Sequence, residues 1–459
     1  MRLSAPLLHG FGVRYDLPIP LALYLSAAAG VVVLSFVLVA SFARSKVGDE
    51  AVSYPRVPVH WLARALRSGV PRAVAGTVGV VVLLAIIVSG LAGSQEPTRN
   101  PAEYLTWIYF WAALVILTGL VGNLYTGFNP WSALYDLFIK RRGPGRYQLP
   151  ALIGIWPAVG AYWLFAGFEL ASGVANRPWL VATLAIAYSA YTLAGMALFG
   201  RDEWLYRCEM FTVLFSIVER FSPVEIERDT EGRVQAAWLR PWGTGLLKPF
   251  VTGWDWIVFV ILMLSSLAFD GIESTPSWFT FQATLAPGEG ALQLALVKWF
   301  AGLTLLTIVF LMIYTAVMQL VNAFGRGRDH LAITTAFVFT LVPIALVYNA
   351  AHNYGYIFVQ SQGLFPLLDD PLARGWHLVP ALAGYQPNWA LAGAATVWYM
   401  QVILIVIGHV IAVWLGHLRA GERFSSARRV LLSQYPMLAL MVAYTMTSLW
   451  ILAQPITSG

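Results

Sequence analysis

The stretch that decides the fold is GRGRDHLAITTAFVFTLVPIALVYNAAHNYGYIF, residues 325–358. Its first residues include Arg326 and Arg328, whereas residues 331–358 contain no Asp, Glu, Lys or Arg. An α-helix of about 20 apolar residues crosses the hydrocarbon core of a bilayer. The stretch therefore predicts a transmembrane helix that is anchored at one end by two arginines.

Similar apolar stretches recur along the whole chain. Of its 459 residues, 58% are hydrophobic and only 11% are charged, which excludes a water-soluble domain of ordinary composition. We therefore predict an all-α, polytopic membrane bundle that forms one domain over residues 1–459. The ten predicted helices cover residues 19–43, 73–93, 105–123, 150–169, 179–199, 254–270, 291–322, 331–358, 390–416 and 431–453.

The distribution of Lys and Arg predicts the orientation of the bundle. All but six of the 29 Lys and Arg residues lie in alternate connectors, which cover residues 44–72, 124–149, 200–253, 324–330 and 417–430. Lys and Arg are held on the cytoplasmic side during membrane insertion. These five connectors are therefore expected in the cytoplasm, and ten crossings then place both termini outside it.

Net charge and cysteine content narrow the class further. The net charge is +6, but the basic residues lie in loops between apolar stretches and form no stripe with aromatic residues. This pattern argues against a nucleic-acid partner. The expected partner is the lipid bilayer, with other membrane subunits left open. The single cysteine, Cys208, excludes an intramolecular disulfide and a CxxC motif.

Two of the predicted cytoplasmic connectors are long enough to fold. In connector 124–149, the segment NPWSALYDLFIKRR (129–142) places apolar residues at helical spacing before a basic end, which is typical of an interfacial helix. Connector 200–253 begins with an apolar run that suits an amphipathic, interfacial or re-entrant helix. The alternating pattern VEIERDTEGRVQAAWLRP (224–241) then predicts a β-hairpin.

A polar stripe marks the end of the eighth predicted helix. Its members recur at helical spacing and are Asn349, His352, Asn353, Tyr356 and Gln360. A polar face inside a bilayer must contact protein or water. His352 lies 24 residues beyond Arg328, or roughly 36 Å along a helix, so we expect it near the outer surface.

Other ionisable residues are expected at the same outer level as His352. They are His9 and Asp16 before the first helix, Glu169 at the end of the fourth and Asp270 at the end of the sixth. Imidazole and carboxylate groups together bind zinc or another divalent metal, which then activates water. The alternative is that these residues are solvated charges at the membrane edge.

His409 is the histidine expected nearest to the middle of the membrane. It lies ten residues before Arg419, or roughly 15 Å deeper. Such a position suits a haem b ligand or a proton carrier, although a divalent metal at the outer face is the favoured cofactor. The alternative is a neutral histidine that forms a hydrogen bond between helices. A haem shared with His352 is disfavoured, since the expected depths differ by roughly 18 Å.

Several segments resemble one family of bacterial membrane proteins. They are HGFGVRYDLPIPLALYL (9–25), NLYTGFNPWSALYDL (123–137), AHNYGYIFVQSQG (351–363), WYMQVILIVIGHV (398–410) and SQYPMLALMVAYTMTSLWILAQP (433–455). The resemblance is to proteins labelled fenitrothion hydrolase-like. It implies a bacterial cytoplasmic membrane location and hydrolysis of an organophosphate ester, but it assigns no catalytic residue.

Three functions follow as hypotheses. The first is a metal-dependent hydrolase of phosphoric esters, with His9, Asp16, Asp270 and His352 as metal ligands and catalytic residues and Glu169 as a base. The second is a non-catalytic membrane subunit of an electron-transfer complex, with haem or a proton route at His409. The third is a transporter, although the two halves of the sequence show no internal repeat.

Overall fold

Ten membrane-length helices form the body of the protein. The structure is a computed structural model that describes residues 20–42, 54–139, 145–229, 233–248, 253–287 and 290–454. Within these ranges ten helices are long and apolar enough to cross a membrane, which confirms the predicted polytopic all-α bundle. Numbered spans 1 to 10, they are Leu21–Ser41, Val70–Ala92, Pro101–Val121, Ala151–Ala171, Pro178–Phe199, Trp254–Glu273, Ala291–Gly325, His330–His352, Ala395–Arg423 and Ala427–Leu452.

Spans 6 and 8 form the centre of the bundle. Within their most apolar windows, 72% of the residues of span 6 and 89% of those of span 8 are buried, against 22% in span 1 and 17% in span 7. The outer spans expose large apolar side chains such as Leu34 and Leu84. A continuous apolar exterior of this kind requires lipid. The chain is therefore a multi-pass membrane protein.

Span 8 ends earlier than predicted. Its helix stops at His352, and Asn353 has backbone angles of φ −90° and ψ 14°, outside the helical region. A separate short helix, Tyr354–Phe358, follows. Within the span, a 3₁₀ turn at Phe339–Leu341 precedes Pro343, because proline cannot donate to the preceding turn and clashes with it.

Spans 3 and 7 each contain a π-helical segment. In span 3 it is Tyr104–Ala113, followed by the α-helix Leu114–Val121. In span 7 it is Val297–Thr304, between the α-helices Ala291–Leu296 and Leu305–Gly325. π-helical turns are rare in proteins and frequently occur at functional sites.

The connector after span 5 begins with two helices rather than one. They are Arg201–Arg207 and Met210–Val218, and the second is almost entirely buried inside the bundle. The break occurs because the Glu209 side chain accepts hydrogen bonds from the backbone N–H groups of Phe211 and Thr212 and so starts a new helix.

A small sheet follows in the same connector. Strands β2, Val224–Arg228, and β3, Val234–Leu239, are antiparallel, with Ile226 opposite Ala237, in the segment predicted as a hairpin. Strand β1, Val57–Pro58, pairs with the other edge of β3, so the order is β1-β3-β2. The sheet thus joins the connector before span 2 to the connector after span 5.

The helix that the sequence predicts at the membrane interface has one buried and one exposed face. In Pro130–Phe138 the side chains of Trp131 and Tyr135 are buried, whereas Leu137 and Phe138 are exposed. Gly79 of span 2 packs so closely beside this region that an added Cβ would clash with the backbone oxygen of Phe128. The remaining short α-helices are His60–Arg67, Tyr125–Phe128, Pro276–Leu285 and Leu364–Leu367. The remaining 3₁₀ turns are Pro97–Arg99, Ala151–Ile153, Thr244–Leu247, Gln360–Gly363, Pro380–Leu382 and Trp389–Ala392.

Candidate functional site

Ionisable residues from four spans meet near one end of the bundle. In this acidic cluster, defined by Glu169, Asp270, Glu273, Lys298 and His352, each side chain is largely withdrawn from solvent. Nε2 of His352 lies 3.0 Å from Oδ2 of Asp270. Nζ of Lys298 lies 3.0 Å from Oε2 of Glu273, one turn further along span 6. Span 6 therefore presents two carboxylates that are each paired with a basic group from another span.

A small cavity lies beside these ion pairs. Its volume is about 20 Å³, which is room for one water molecule or one small cation. Two acidic residues, Glu169 in span 4 and Asp270 in span 6, both line it. The other polar or aromatic lining residues are Trp107, Trp111, Ser266, Asn349, Asn353 and Tyr356.

The polar groups around this cavity are mainly carboxyl, hydroxyl and amide groups. Nδ2 of Asn353 donates a hydrogen bond of 2.8 Å to Oδ1 of Asn349. The hydroxyl of Ser266 lies 3.2 Å from the hydroxyl of Tyr162. Carboxylate, amide and hydroxyl oxygens are ligands that hard cations prefer, and they also hold water or a shared proton.

Irregular helices position the side chains of the site. The π-helical segment of span 3 carries Trp107 and Trp111 to the cavity, and that of span 7 carries Lys298 to Glu273. The ring of Tyr348, one turn before His352, stacks on the imidazole with centroids 5.9 Å apart and planes 7° apart. This stacking and the contact with Asp270 hold the imidazole in one orientation.

Three of the residues singled out in the sequence come together here, and two cannot be located. Glu169, Asp270 and His352 all belong to the acidic cluster. His9 and Asp16 lie outside the described residues. Among the residues that the structure does describe, no group of three or more His, Cys, Asp or Glu is arranged to hold a metal ion. The four-residue metal site stays a prediction.

Sequence reasoning missed two acidic residues near the cavity. Glu273 follows Asp270 by three positions on span 6, a spacing that places both on one helix face. Glu103 is buried at the start of span 3, beside Trp107 and within electrostatic range of Tyr356. The spacing was visible in the sequence for Glu273, but nothing there indicated which neighbour Glu103 would meet.

His409 is buried within span 9, and its contacts are to the backbone and an aromatic ring. Its Nδ1 lies 2.8 Å from the backbone oxygen of Ile405, and its ring centroid lies 6.1 Å from that of Tyr444. Nothing in this arrangement tests haem ligation or proton transfer by His409, and both stay predictions.

Comparison of the chain with protein-family models, with curated proteins and with solved structures finds no match. The resemblance to fenitrothion hydrolase-like proteins, and the activity that it implies, therefore stay predictions. The geometry of the acidic cluster and its cavity is the basis on which a function can be assigned.

Proposed function

We propose that this protein is a transporter in which the cavity between Glu169 and Asp270 binds one small monovalent cation, a proton or a sodium ion. The observation that carries the proposal is that acidic residues from two different spans line one water-sized cavity inside the bundle. Reversible binding of a cation there gives the protein two charge states, and these can favour two arrangements of the spans.

The charge balance of the cluster supports a bound cation. Asp270 is paired with His352 and Glu273 with Lys298. Glu169 forms no ion pair with Lys, Arg or His in the described part of the chain. A carboxylate inside a membrane protein costs several kcal/mol unless it is neutralised. A proton or a sodium ion in the adjoining cavity supplies that neutralisation.

The interrupted spans support a transporter over a static subunit. Transporters commonly build their ion sites where membrane helices depart from regular α-geometry, since the freed backbone groups then line a polar cavity. Here the π-helical segment of span 3 and the end of span 8 at His352 both adjoin the site. These features outweigh the lack of an internal sequence repeat.

The proposed location is the bacterial cytoplasmic membrane, with both termini and the acidic cluster on the outer side. The location follows from the family resemblance, and the orientation follows from the Lys and Arg residues in alternate connectors. In this orientation the cavity receives its cation from outside the cell. The electrochemical potential of protons or sodium ions is usually higher on that side of the membrane.

Equilibrium binding tests the proposal on detergent-purified protein. A sodium site predicts saturable binding of ²²Na⁺ that acid displaces. A proton site predicts no sodium binding, but Asp270→Asn or Glu169→Gln should take up fewer protons than wild type between about pH 8 and about pH 6, an interval in which ordinary exposed carboxyl groups stay ionised. The matched control is Glu96→Gln, which alters an exposed carboxyl group. If neither sodium binding nor proton uptake differs between wild type and the two cavity variants, the proposal is wrong.

A second candidate function is hydrolysis of a phosphoric ester, and one contact favours it. The 3.0 Å contact between Asp270 and the His352 imidazole is the arrangement by which a carboxylate orients a general base. No group of three His, Cys, Asp or Glu in the described part of the chain is arranged to hold a metal, so no metal is assigned to this pair. The test is hydrolysis of a nitrophenyl phosphotriester by purified protein, with loss of activity expected in His352→Gln. No release of nitrophenol above that of the variant would exclude this function.

A further inference from the structure

Glu103 is a buried carboxyl residue that the acidic cluster does not include. It lies near the start of span 3, and only 8% of its surface is exposed. In the described part of the chain, its Oε1 atom has no hydrogen-bond partner. Buried polar atoms without a partner are rare in native proteins, and ionisable residues within membrane spans commonly mark ion or proton pathways. Glu103 is therefore a candidate for a functional role.

The helix face that lines the cavity continues through Glu103. Glu103, Trp107 and Trp111 follow each other at intervals of four residues, which places them on one face of span 3. Trp107 and Trp111 both line the cavity between Glu169 and Asp270. Glu103 lies roughly one helical turn nearer to the start of the span than Trp107. In the proposed orientation this start is the outer end, so Glu103 lies on the outer side of the cavity.

Tyr356 lies between Glu103 and the cavity. It belongs to the short helix that follows span 8 and it lines the cavity. Its side chain packs against the apolar cluster that contains Trp107. It also lies within electrostatic range of three carboxyl groups, those of Glu169, Glu103 and Asp270. A tyrosine hydroxyl both donates and accepts hydrogen bonds, so it can pass a proton or help to coordinate a cation between carboxyl groups.

The chain that follows span 8 packs over this end of span 3. The hydroxyl of Tyr109 donates a hydrogen bond of 3.1 Å to the backbone oxygen of Ser361. Gly363 lies so close to the ring of Tyr104 that an added Cβ would clash with it. A cation that enters beside Glu103 therefore passes through protein-lined space, where its charge is costly unless an anionic or dipolar group accompanies it.

We propose that Glu103 is a further cation-binding residue at the outer entrance to the cavity, from which the cation passes Tyr356 to reach Glu169 and Asp270. This inference rests on the proposed function, since it supplies the route into that cavity. A residue on the route lowers the barrier to entry and the barrier to exit by the same amount. It therefore changes the rate of cation exchange and leaves the amount bound at equilibrium unchanged.

Exchange kinetics of the full chain in detergent test this route. For a sodium site, the release of bound ²²Na⁺ into excess unlabelled sodium is timed. For a proton site, stopped-flow infrared spectroscopy follows, after a pH jump, the carboxyl band that Glu169→Gln or Asp270→Asn removes. We expect Glu103→Gln to slow exchange at least about tenfold, since charge of one sign in a cleft raises counter-ion entry rates by at least about that factor. The amount of bound sodium, or the amplitude of the band, should equal that of wild type.

Three further variants complete the test. Glu103→Asp should restore part of the rate, because it keeps the carboxyl group. Tyr356→Phe should also slow exchange, since it removes only the hydroxyl, and it decides the test if Glu103→Gln does not fold. The matched control is Glu96→Gln, which changes an exposed carboxyl group just before span 3 and should exchange at the wild-type rate.

Three results would overturn the inference while the proposed function stands. The first is exchange at the wild-type rate in a folded Glu103→Gln, or in Tyr356→Phe if Glu103→Gln does not fold. The second is loss of equilibrium binding in Glu103→Gln, which would make Glu103 part of the site and not its entrance. The third is equal slowing by Glu96→Gln and Glu103→Gln. Failure of the proposed function is recognised separately, because wild type would then bind no more cation than Glu169→Gln and Asp270→Asn.

Discussion

Replacement of Glu209 should destabilise the protein more than replacement of any exposed carboxylate nearby. Glu209 is fully buried between span 5 and the helix Met210–Val218. It accepts hydrogen bonds of 3.0 and 2.7 Å from the backbone N–H groups of Phe211 and Thr212. It also accepts from the hydroxyls of Tyr125 at 3.1 Å and Tyr188 at 2.5 Å. The hydroxyl of Thr212 donates to it as well, so one side chain serves five donors from three parts of the fold.

The magnitude follows from what Glu209→Ala would leave behind. Two buried tyrosine hydroxyls would lose their acceptor, at a cost of about 1 to 3 kcal/mol each. Loss of the helix cap would add about 1 kcal/mol. Relief of the desolvation of a buried carboxyl group offsets part of this total, so we expect a net loss of about 3 kcal/mol. Glu209→Gln should cost less, because it keeps one acceptor oxygen and the shape of the side chain.

The neighbouring Cys208 provides the assay. It is the single cysteine of the chain and is fully buried, so a maleimide fluorophore reacts only when this region opens. The expected order of unfolding temperatures, from highest to lowest, is wild type, then Glu209→Gln, then Glu209→Ala. Glu203→Gln is the control, since Glu203 is half exposed and its ion pair with Arg207 is worth at most about 1 kcal/mol. Equal unfolding temperatures for Glu209→Ala and Glu203→Gln would refute the reasoning.

Three further predictions concern the sheet, helix packing and orientation. Burial raises the pKa of Glu225, but Lys248 and Arg240 outweigh it and hold that pKa below its usual range. The pairing therefore stabilises the fold above an unfolded pKa of about 4.3 and is lost as pH falls through the lower folded value. Glu225→Gln should accordingly cost about 1 kcal/mol at pH 7, and this cost should shrink as the pH falls below about 4.3. A pH-independent difference in thermal unfolding would contradict this. Gly79→Ala should destabilise the protein by about 1 to 3 kcal/mol, because the added Cβ meets the Phe128 backbone. Gly160→Ala is the control and should be neutral, since no atom lies within 4 Å of its added Cβ. Equal unfolding temperatures of the two variants would contradict this prediction. In a Cys208→Ala background, a membrane-impermeant thiol reagent added to intact cells should label Glu96→Cys but not Ser425→Cys, and the reverse pattern would invert the proposed orientation.

The spans were predictable because the length of an apolar run is a one-dimensional property. Span 9 begins within a few residues of its predicted start, whereas span 8 was extended too far, through residue 358. The sequence after His352 contains no charge or proline to mark the end, and the break at Asn353 is a matter of backbone conformation. The π-helical segments of spans 3 and 7 were not predicted either, since they leave no distinctive pattern of apolar residues.

The common level of these residues along the bundle was predictable, but the lateral arrangement of the spans was not. Counting residues from Arg328 placed His352 at the level of Asp270 and Glu169, and the structure brings these three into one cluster. The same count gave no information about which span faces which. Glu103 and the pairing of Glu273 with Lys298 were therefore missed, because they depend on how the helices pack around span 6.

Carbodiimide labelling tests most directly whether the cavity binds a small cation. An apolar carbodiimide reacts with protonated carboxyl groups, and peptide mass spectrometry locates the product. If the ligand is a proton, we expect the labelling of Glu169 or Asp270 to fall as the pH rises. If the ligand is sodium, we expect sodium ions to suppress the labelling at constant pH as well. Labelling of both residues that responds to neither pH nor sodium, or no labelling of either residue at any pH, would contradict cation binding in the cavity.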